Sequence, residues 1–263
     1  MDEHDVLNAV LRNRNASTAE RMAAVERAGN VEWDEDLAKS LLAIVAAPDE
    51  NEQLRARAAI ALGPILEEAE MEGFHEDEPF CEPPIAEATF HEIQETLRRV
   101  YSDESGSKEV RRRALEGSVR SEQDWHPDAV RAAYANSDPE WRLTGVFCMQ
   151  FLPDFDQQIL EALESDDPEL HFEAVRAAGA QELRPAWPHI QGLLTPKTEK
   201  DLLLAAMEAA AYVNPQEAAE LLAEFSQSKD ADIAAAAEEA LSIVEIMDDD
   251  NDEFDEDEED EEE

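Results

Sequence analysis

Hydrophobic and small residues recur along this chain with a period of about thirty residues. Each copy starts with a turn rich in Asp, Pro and Glu, continues with a bulky apolar anchor, and places mostly small residues four and eight positions later. Residues four apart lie on one face of an α-helix, so each copy predicts an amphipathic helix. Six copies are present, at Leu54/Ala58/Leu62, Val110/Ala114/Ser118, Trp141/Gly145/Met149, Leu170/Ala174/Ala178, Leu202/Ala206/Ala210 and Ile233/Ala237/Leu241.

A second amphipathic segment precedes each of these helices, so the chain predicts helical hairpins. Asp138, Asp167 and Asn214 each stand before a proline, as a capping side chain does at a helix start. Gly29, Gly63 and Gly179 stand where C-terminal caps are expected. The preceding segments are residues 34–47, 84–101, 126–135, 154–164, 185–194 and 215–226, and residues 6–14 with 19–28 predict a seventh pair. A fixed period of this length is typical of a solenoid, in which each repeat buries its apolar face against its neighbours.

Two acidic segments depart from the repeat. Residues 67–92 contain ten Asp or Glu and no Lys or Arg, and they explain an anchor spacing of 56 residues where the later spacings are 29 to 32. We place an acidic loop insertion at about 71–84, because its glycine and prolines prevent a continuous helix. Residues 248–263 are acidic except for Asn251 and Phe254. The expected organisation is a solenoid over residues 1–247 and a disordered acidic tail over 248–263.

Net charge narrows the possible partners. With 66 acidic residues against 21 Lys and Arg, the chain carries −45 at pH 7, which excludes nucleic acid and anionic membranes as bulk ligands. The acidity is compatible with a salt-adapted host or with a basic protein partner. No apolar run approaches the roughly 18 residues of a membrane span, and the acidic start is unlike a secretory signal. We therefore expect a cytoplasmic protein.

Four segments share one turn and second-helix pattern: SDPEWRLTG at 137–145, DDPELHFEAVRAAG at 166–179, NEQLRARAAIALG at 51–63 and KEVRRRALEG at 108–117. These sequences resemble those of HEAT-repeat proteins, in particular the short type found in phycobilisome lyases. The resemblance implies an all-α, right-handed α-solenoid of six to seven HEAT-like helical hairpins, with the second helices lining the concave face. HEAT repeats serve unrelated roles, so the resemblance is specific for the fold and weak for function.

In this family the residue after the anchor is typically Arg. Here the position is occupied in turn by Arg55, Arg111, Arg142, His171, Leu203 and Ala234. We expect the arginines to pair with turn carboxylates such as Asp49, Asp103 and Asp138 and so to join neighbouring repeats.

No catalytic motif is recognisable. The six histidines occupy unrelated repeat positions, and no GxSxG, HExxH, P-loop or GxGxxG sequence occurs. The cluster of His75, Glu76, Asp77, Glu78 and Cys81 matches no strong metal-ligand spacing. We therefore predict neither a cofactor nor a metal and favour a non-catalytic interaction scaffold. A bilin-lyase-like enzyme or enzyme subunit, and an acidic chaperone for a basic protein, stay open as alternatives.

The repeat position two residues after each anchor, which we call the column, predicts a binding surface. The residue two after the anchor lies about 200° around the helix, nearly opposite the core. Large apolar residues at exposed positions typically mark an interaction site, so a protein client is expected there, and a basic surface on that client would complement the acidic chain. Burial between tightly curved repeats, or a helix register off by one, is the alternative explanation. The candidate partner-binding residues on the concave face are Leu143, Phe147, Phe172, Leu204 and Arg112.

Overall fold

The computed structural model describes residues 3–29, 31, 34–74 and 83–259, with side chains up to residue 247. These residues form fifteen α-helices and two short 3-10 turns, and none of them lies in a β-strand. The predicted all-α class is therefore confirmed.

The helices follow one another as hairpins joined by short turns. The N-terminal pair predicted from residues 6–28 is present, so the described part of the chain holds seven hairpins, and the second of them carries one extra helix, α5. The pairs are α1 (Glu3–Arg12) and α2 (Thr18–Ala28), α3 (Glu35–Ala46) and α4 (Glu52–Ala61) with α5 (Gly63–Glu72), α6 (Glu87–Ser102) and α7 (Lys108–Ser118), α8 (His126–Tyr134) and α9 (Pro139–Cys148), α10 (Asp156–Leu163) and α11 (Pro168–Ala180), α12 (Trp187–Leu193) and α13 (Lys200–Val213), and α14 (Pro215–Phe225) and α15 (Ala231–Glu259).

The chain divides into two compact units, residues 1–144 and 145–263, and the division falls within α9. In the first unit, second helices pack against second helices in the order α2, α4, α7, and first helices pack in the order α1, α3, α6. In the second unit α11, α13 and α15 follow one another in the same way. Each apolar face is thus buried by a neighbouring hairpin, as a repeat architecture requires.

Side-chain caps fix the starts of several helices. Ser17 and Glu20 form a reciprocal capping box at the start of α2. The predicted caps are also present: Asp138 accepts the backbone N–H of Glu140, Asp167 accepts that of Leu170, and Asn214 accepts that of Glu217.

Two of the three predicted glycine caps are wrong. Gly63 begins α5 and is buried. Gly179 lies inside α11, where an added Cβ would stand 2.8 Å from Ala209 Cα of α13. A glycine is needed there because the two backbones approach more closely than any side chain allows. In the sequence, a glycine near the end of a helix looks the same whether it caps the helix or lets a neighbouring backbone approach closely.

The two acidic segments are only partly described. α5 ends at Glu72, and the following Gly73 has a φ of 71°, a left-handed conformation that favours glycine. Phe74 packs against Phe90 at 5.1 Å between ring centroids. Residues 75–82, which include the predicted insertion's histidine, acidic residues and cysteine, lie outside the described part. So do the side chains of residues 248–259 and all of residues 260–263, so the disorder of the tail and the boundary at 247 stay predictions.

Candidate functional site

A groove with a cavity of about 510 Å³ runs between the second helices of the last three hairpins. We call it the unit-2 groove, since α11, α13 and α15 form its walls within the second unit. Two of the candidate residues, Phe172 and Leu204, line it. The remaining lining residues are Arg176, Asp201, Ala205, Glu208, Tyr212, Ala236, Glu239, Ala240 and Ile243.

The groove exists because α13 is apolar on two faces. Its sequence, KDLLLAAMEAAAYV, buries Leu203, Ala206 and Met207 in the core. Leu204 and Tyr212 face the groove and are only half-buried. Small residues, Ala205 among them, keep its floor open. A helix that is apolar beyond its core face indicates a second surface that a partner can cover.

The repeat register arranges the lining in layers along the groove. Phe172 and Leu204 occupy equivalent repeat positions and form an apolar layer. Arg176, Glu208 and Glu239 each follow their anchor by six positions and form a charged layer. The next turn along carries Tyr212 and Ile243, a second apolar layer.

The groove is acidic as well as apolar. Asp201, Glu208 and Glu239 contribute three carboxylates, and Arg176 contributes one guanidinium, so the lining carries a net charge of −2 near pH 7. Arg176 Nη1 lies 3.6 Å from Glu173 Oε2, so part of its charge is met outside the groove. Apolar side chains with Lys or Arg among them would complement this lining.

The other three candidate residues do not line this groove. Leu143 is half-buried and lies in the first unit. Phe147 packs on Phe151, with 5.6 Å between ring centroids.

Arg112 corrects the prediction most clearly, because its side chain does not face solvent. It is 3% exposed, and its Nε donates to Thr144 Oγ1 at 2.9 Å. Glu116, 2% exposed, accepts from Thr144 at 2.6 Å and from Arg113. Glu109 accepts from Arg112 at 3.0 Å. This residue belongs to a buried network between α7 and α9, and a buried charge with these partners stabilises the fold only while all of them stay in place.

The arginines after the anchors also act differently from the prediction. Arg55 donates two hydrogen bonds of 3.1 Å to the carbonyl oxygen of Val45, and Arg111 donates one of 2.9 Å to that of Tyr101. Arg21 does the same with Leu11. Each arginine thus satisfies a carbonyl near the end of the first helix of its own hairpin, which is one of the groups a helix end leaves unpaired.

The links between hairpins that we expected from the arginines are formed at Arg21, whose Nη1 lies 2.6 Å from Glu50 Oε2 in the turn of the next hairpin. Two lysines form further links of this kind. Lys108 Nζ lies 2.9 Å from Asp138, and Lys200 Nζ lies 2.9 Å from Asp230 and 2.6 Å from Asp232. Both lysines stand two residues before an anchor and reach one repeat forward. Hydrogen bonds from Lys200 to the carboxylates of Asp232 and Asp230 raise its pKa to about 12.

His126 has structural partners that explain its burial. His126 is fully buried; Nδ1 accepts the backbone N–H of Gln123 at 3.0 Å, and Nε2 lies 3.0 Å from Ser118 Oγ. The Ser118 hydroxyl donates to the Leu115 carbonyl, so it accepts from His126, and the ring has no site for a second proton. Burial, with a contribution from Arg98, lowers the pKa of His126 to about 4.

A pair of histidines joins α11 to α12. His171 Nε2 lies 2.7 Å from His189 Nε2, and burial together with His189 lowers the pKa of His171.

Among the described residues no group of three or more His, Cys, Asp or Glu could hold a metal ion. The described helices also include none long and apolar enough to cross a membrane.

A smaller cavity of the first unit shows how the equivalent face differs there. About 380 Å³ in volume, it lies between α2, α4 and α7. Met22, Ala56 and Ile60 line it, but Arg57 and Arg113 stand beside them. The combination of large apolar layers with excess carboxylates belongs to the unit-2 groove.

Comparison with known proteins finds likeness of fold alone. No family model matches the chain, and no curated protein matches it. Similar solved structures include human deoxyhypusine hydroxylase in complex with glycerol, at 15% identity over 92% of this chain and 96% of that chain, with a TM-score of 0.39. The complex of CpcE and CpcF of phycocyanin lyase from Nostoc is 15% identical over 93% and 95%, with a TM-score of 0.44.

An archaeal HEAT-like repeats protein from Thermococcus onnurineus is also similar, at 15% identity over 93% of this chain and 98% of that chain, with a TM-score of 0.37. The predicted helical hairpins rest on the structure itself, which contains seven of them among the described residues. Identities and TM-scores this low carry no argument about activity.

Proposed function

We propose that this protein is a non-catalytic binding scaffold that holds a segment of a protein client in the unit-2 groove. The observation that carries the proposal is the half-buried pair Phe172 and Leu204 in a groove of about 510 Å³. Full burial of a Phe or Leu side chain contributes about 1.5–3 kcal/mol, so completing the burial of each of these contributes at most about 1 kcal/mol.

The chemistry of the lining supports binding rather than catalysis. The groove contains no Ser, Cys or His, so its lining offers neither a nucleophile of the usual kind nor an imidazole base. What it offers is apolar area with charges at fixed positions, which is the anatomy of a protein interface.

A display library of random peptides tests the proposal. Peptides selected on the wild-type protein should lose at least about tenfold in affinity for the double variant Phe172→Ser with Leu204→Ser, because two central contacts are removed. Leu143→Ser is the matched control: it changes the same repeat position outside the groove and should leave binding within about twofold.

Circular dichroism and thermal melting establish that each variant is folded. A second variant, Ala236→Gln, covers the case in which the double change unfolds the unit, since it fills the groove and removes no core contact. Selected peptides that bind all three variants as they bind the wild type would refute the proposal, and so would a selection that yields no binder.

A further inference from the structure

The unit-2 groove constrains the backbone conformation of whatever fills it. Its walls are three helices, and its lining consists of their side chains, Leu204, Tyr212 and Ile243 among them. The backbone N–H and C=O groups of these helices bond within the helices. An extended segment would find no partner there for its own backbone, whereas a helix satisfies its backbone internally.

The layers of the lining set the spacing of the occupant's side chains. Leu204 and Tyr212 are eight residues apart on α13, which is about 12 Å along the helix axis. The charged layer with Glu208 lies halfway between them, about 6 Å from each. A partner helix aligned with α13 has the same rise, so residues eight apart meet the two apolar layers and the residue midway meets the carboxylates.

We infer that the groove recognises an amphipathic helix of about three turns that carries two apolar residues eight apart with a Lys or Arg midway. This inference rests on the proposed function. The basic side chain would lie beside Glu208 and Glu239, which outnumber Arg176 in that layer. Asp201, at the other end of the Phe172 layer, provides for a second basic residue one turn outside the first apolar one.

A labelled 16-residue Ala/Gln helix with leucines eight apart and a lysine midway is the probe. Changing that lysine to glutamate should reduce the affinity, measured by fluorescence anisotropy at low salt, by at least about tenfold, because it places like charges together in the groove. A peptide of the same composition with the leucines and lysine on opposite faces should bind no more tightly than the glutamate form.

Matched variants of the protein test whether carboxylates of the groove recognise the lysine of the probe. Glu208→Gln with Glu239→Gln should weaken binding of the lysine probe about tenfold and abolish its preference over the glutamate probe. Glu220→Gln with Glu238→Gln removes the same number of exposed charges outside the groove lining, so it should change the affinity less than about threefold.

The outcomes separate this inference from the proposed function. If library peptides depend on Phe172 and Leu204 but the lysine and glutamate probes bind equally, or neither binds, the helix inference is overturned and the scaffold proposal stands. If no peptide of either kind depends on the groove, the scaffold proposal fails as well.

Discussion

Replacing Gly179 by alanine perturbs the closest backbone approach in the second unit, between α11 and α13. The added methyl group would stand 2.8 Å from Ala209 Cα and 2.9 Å from its Cβ. Ordinary contacts of a Cβ are 3.4–4 Å, so the helices must separate by at least about half an ångström. Neither neighbouring atom can move away by rotation of a side chain, because one is backbone and the other is fixed to it.

The magnitude follows from two opposing effects. Inserting a methyl group into packed structure costs about 1–3 kcal/mol. Alanine is favoured over glycine in a helix interior by about 1 kcal/mol. The net expectation for Gly179→Ala is a loss of about 1 kcal/mol in the free energy of unfolding.

Gly192 provides the matched control in the same unit. It lies in α12, and an added Cβ there meets nothing within 4 Å. Gly192→Ala should therefore raise the free energy of unfolding by about 0.5–1 kcal/mol, because only the backbone effect acts. The two variants should differ by about 2 kcal/mol.

Urea unfolding followed by circular dichroism measures both variants, with equal slopes as the condition for comparing midpoints. If Gly179→Ala matched Gly192→Ala in stability, the close approach of α11 and α13 would be wrong. Because these helices are two walls of the unit-2 groove, Gly179→Ala should also change the affinity of the lysine probe.

Two further predictions concern buried polar groups in the first unit. His126 is protonated near the ordinary histidine pKa of 6.5 in the unfolded chain but only near about 4 in the folded chain. The stability that this residue contributes is therefore full above pH 6.5 and falls by about 3 kcal/mol as the pH drops to about 4. In urea unfolding, His126→Asn should therefore be destabilised relative to wild type at pH 7.5 and much less so at pH 4.5; a constant difference at both pH values would contradict the neutral, buried ring. Glu116→Ala should lower the free energy of unfolding by about 3–5 kcal/mol because it leaves the buried Arg112 short of a partner, and exposed Glu122→Ala should change it by less than about 0.5 kcal/mol; equal effects of the two would count against the network.

The repeat spacing predicted much of the fold because each hairpin repeats the same local requirement. An apolar anchor with small residues four and eight later must face a neighbour, and an Asp-Pro or Asn-Pro step starts a helix. Those two signals located the hairpins, and the caps at Asp138, Asp167 and Asn214 formed as expected.

The groove was only partly predictable, because an angle around one helix does not say what stands opposite. Phe172 and Leu204 occupy the predicted column and line the groove. Arg112 occupies the same column but is buried, because Thr144 and Glu116 supply partners that no single-helix pattern shows. Ile243 was missed because its place in the lining depends on how α15 packs against α13.

The measurement that tests the central claim most directly is a methyl NMR map of the protein titrated with the lysine probe. We expect shift changes concentrated at Leu204, Ala205 and Ile243, which share the groove. The same unit contains another cavity of about 470 Å³, lined among others by Leu221 and Ile233, which serves as an internal reference. Changes concentrated at those reference methyls, or spread evenly over the protein, would contradict binding of a helix in the unit-2 groove.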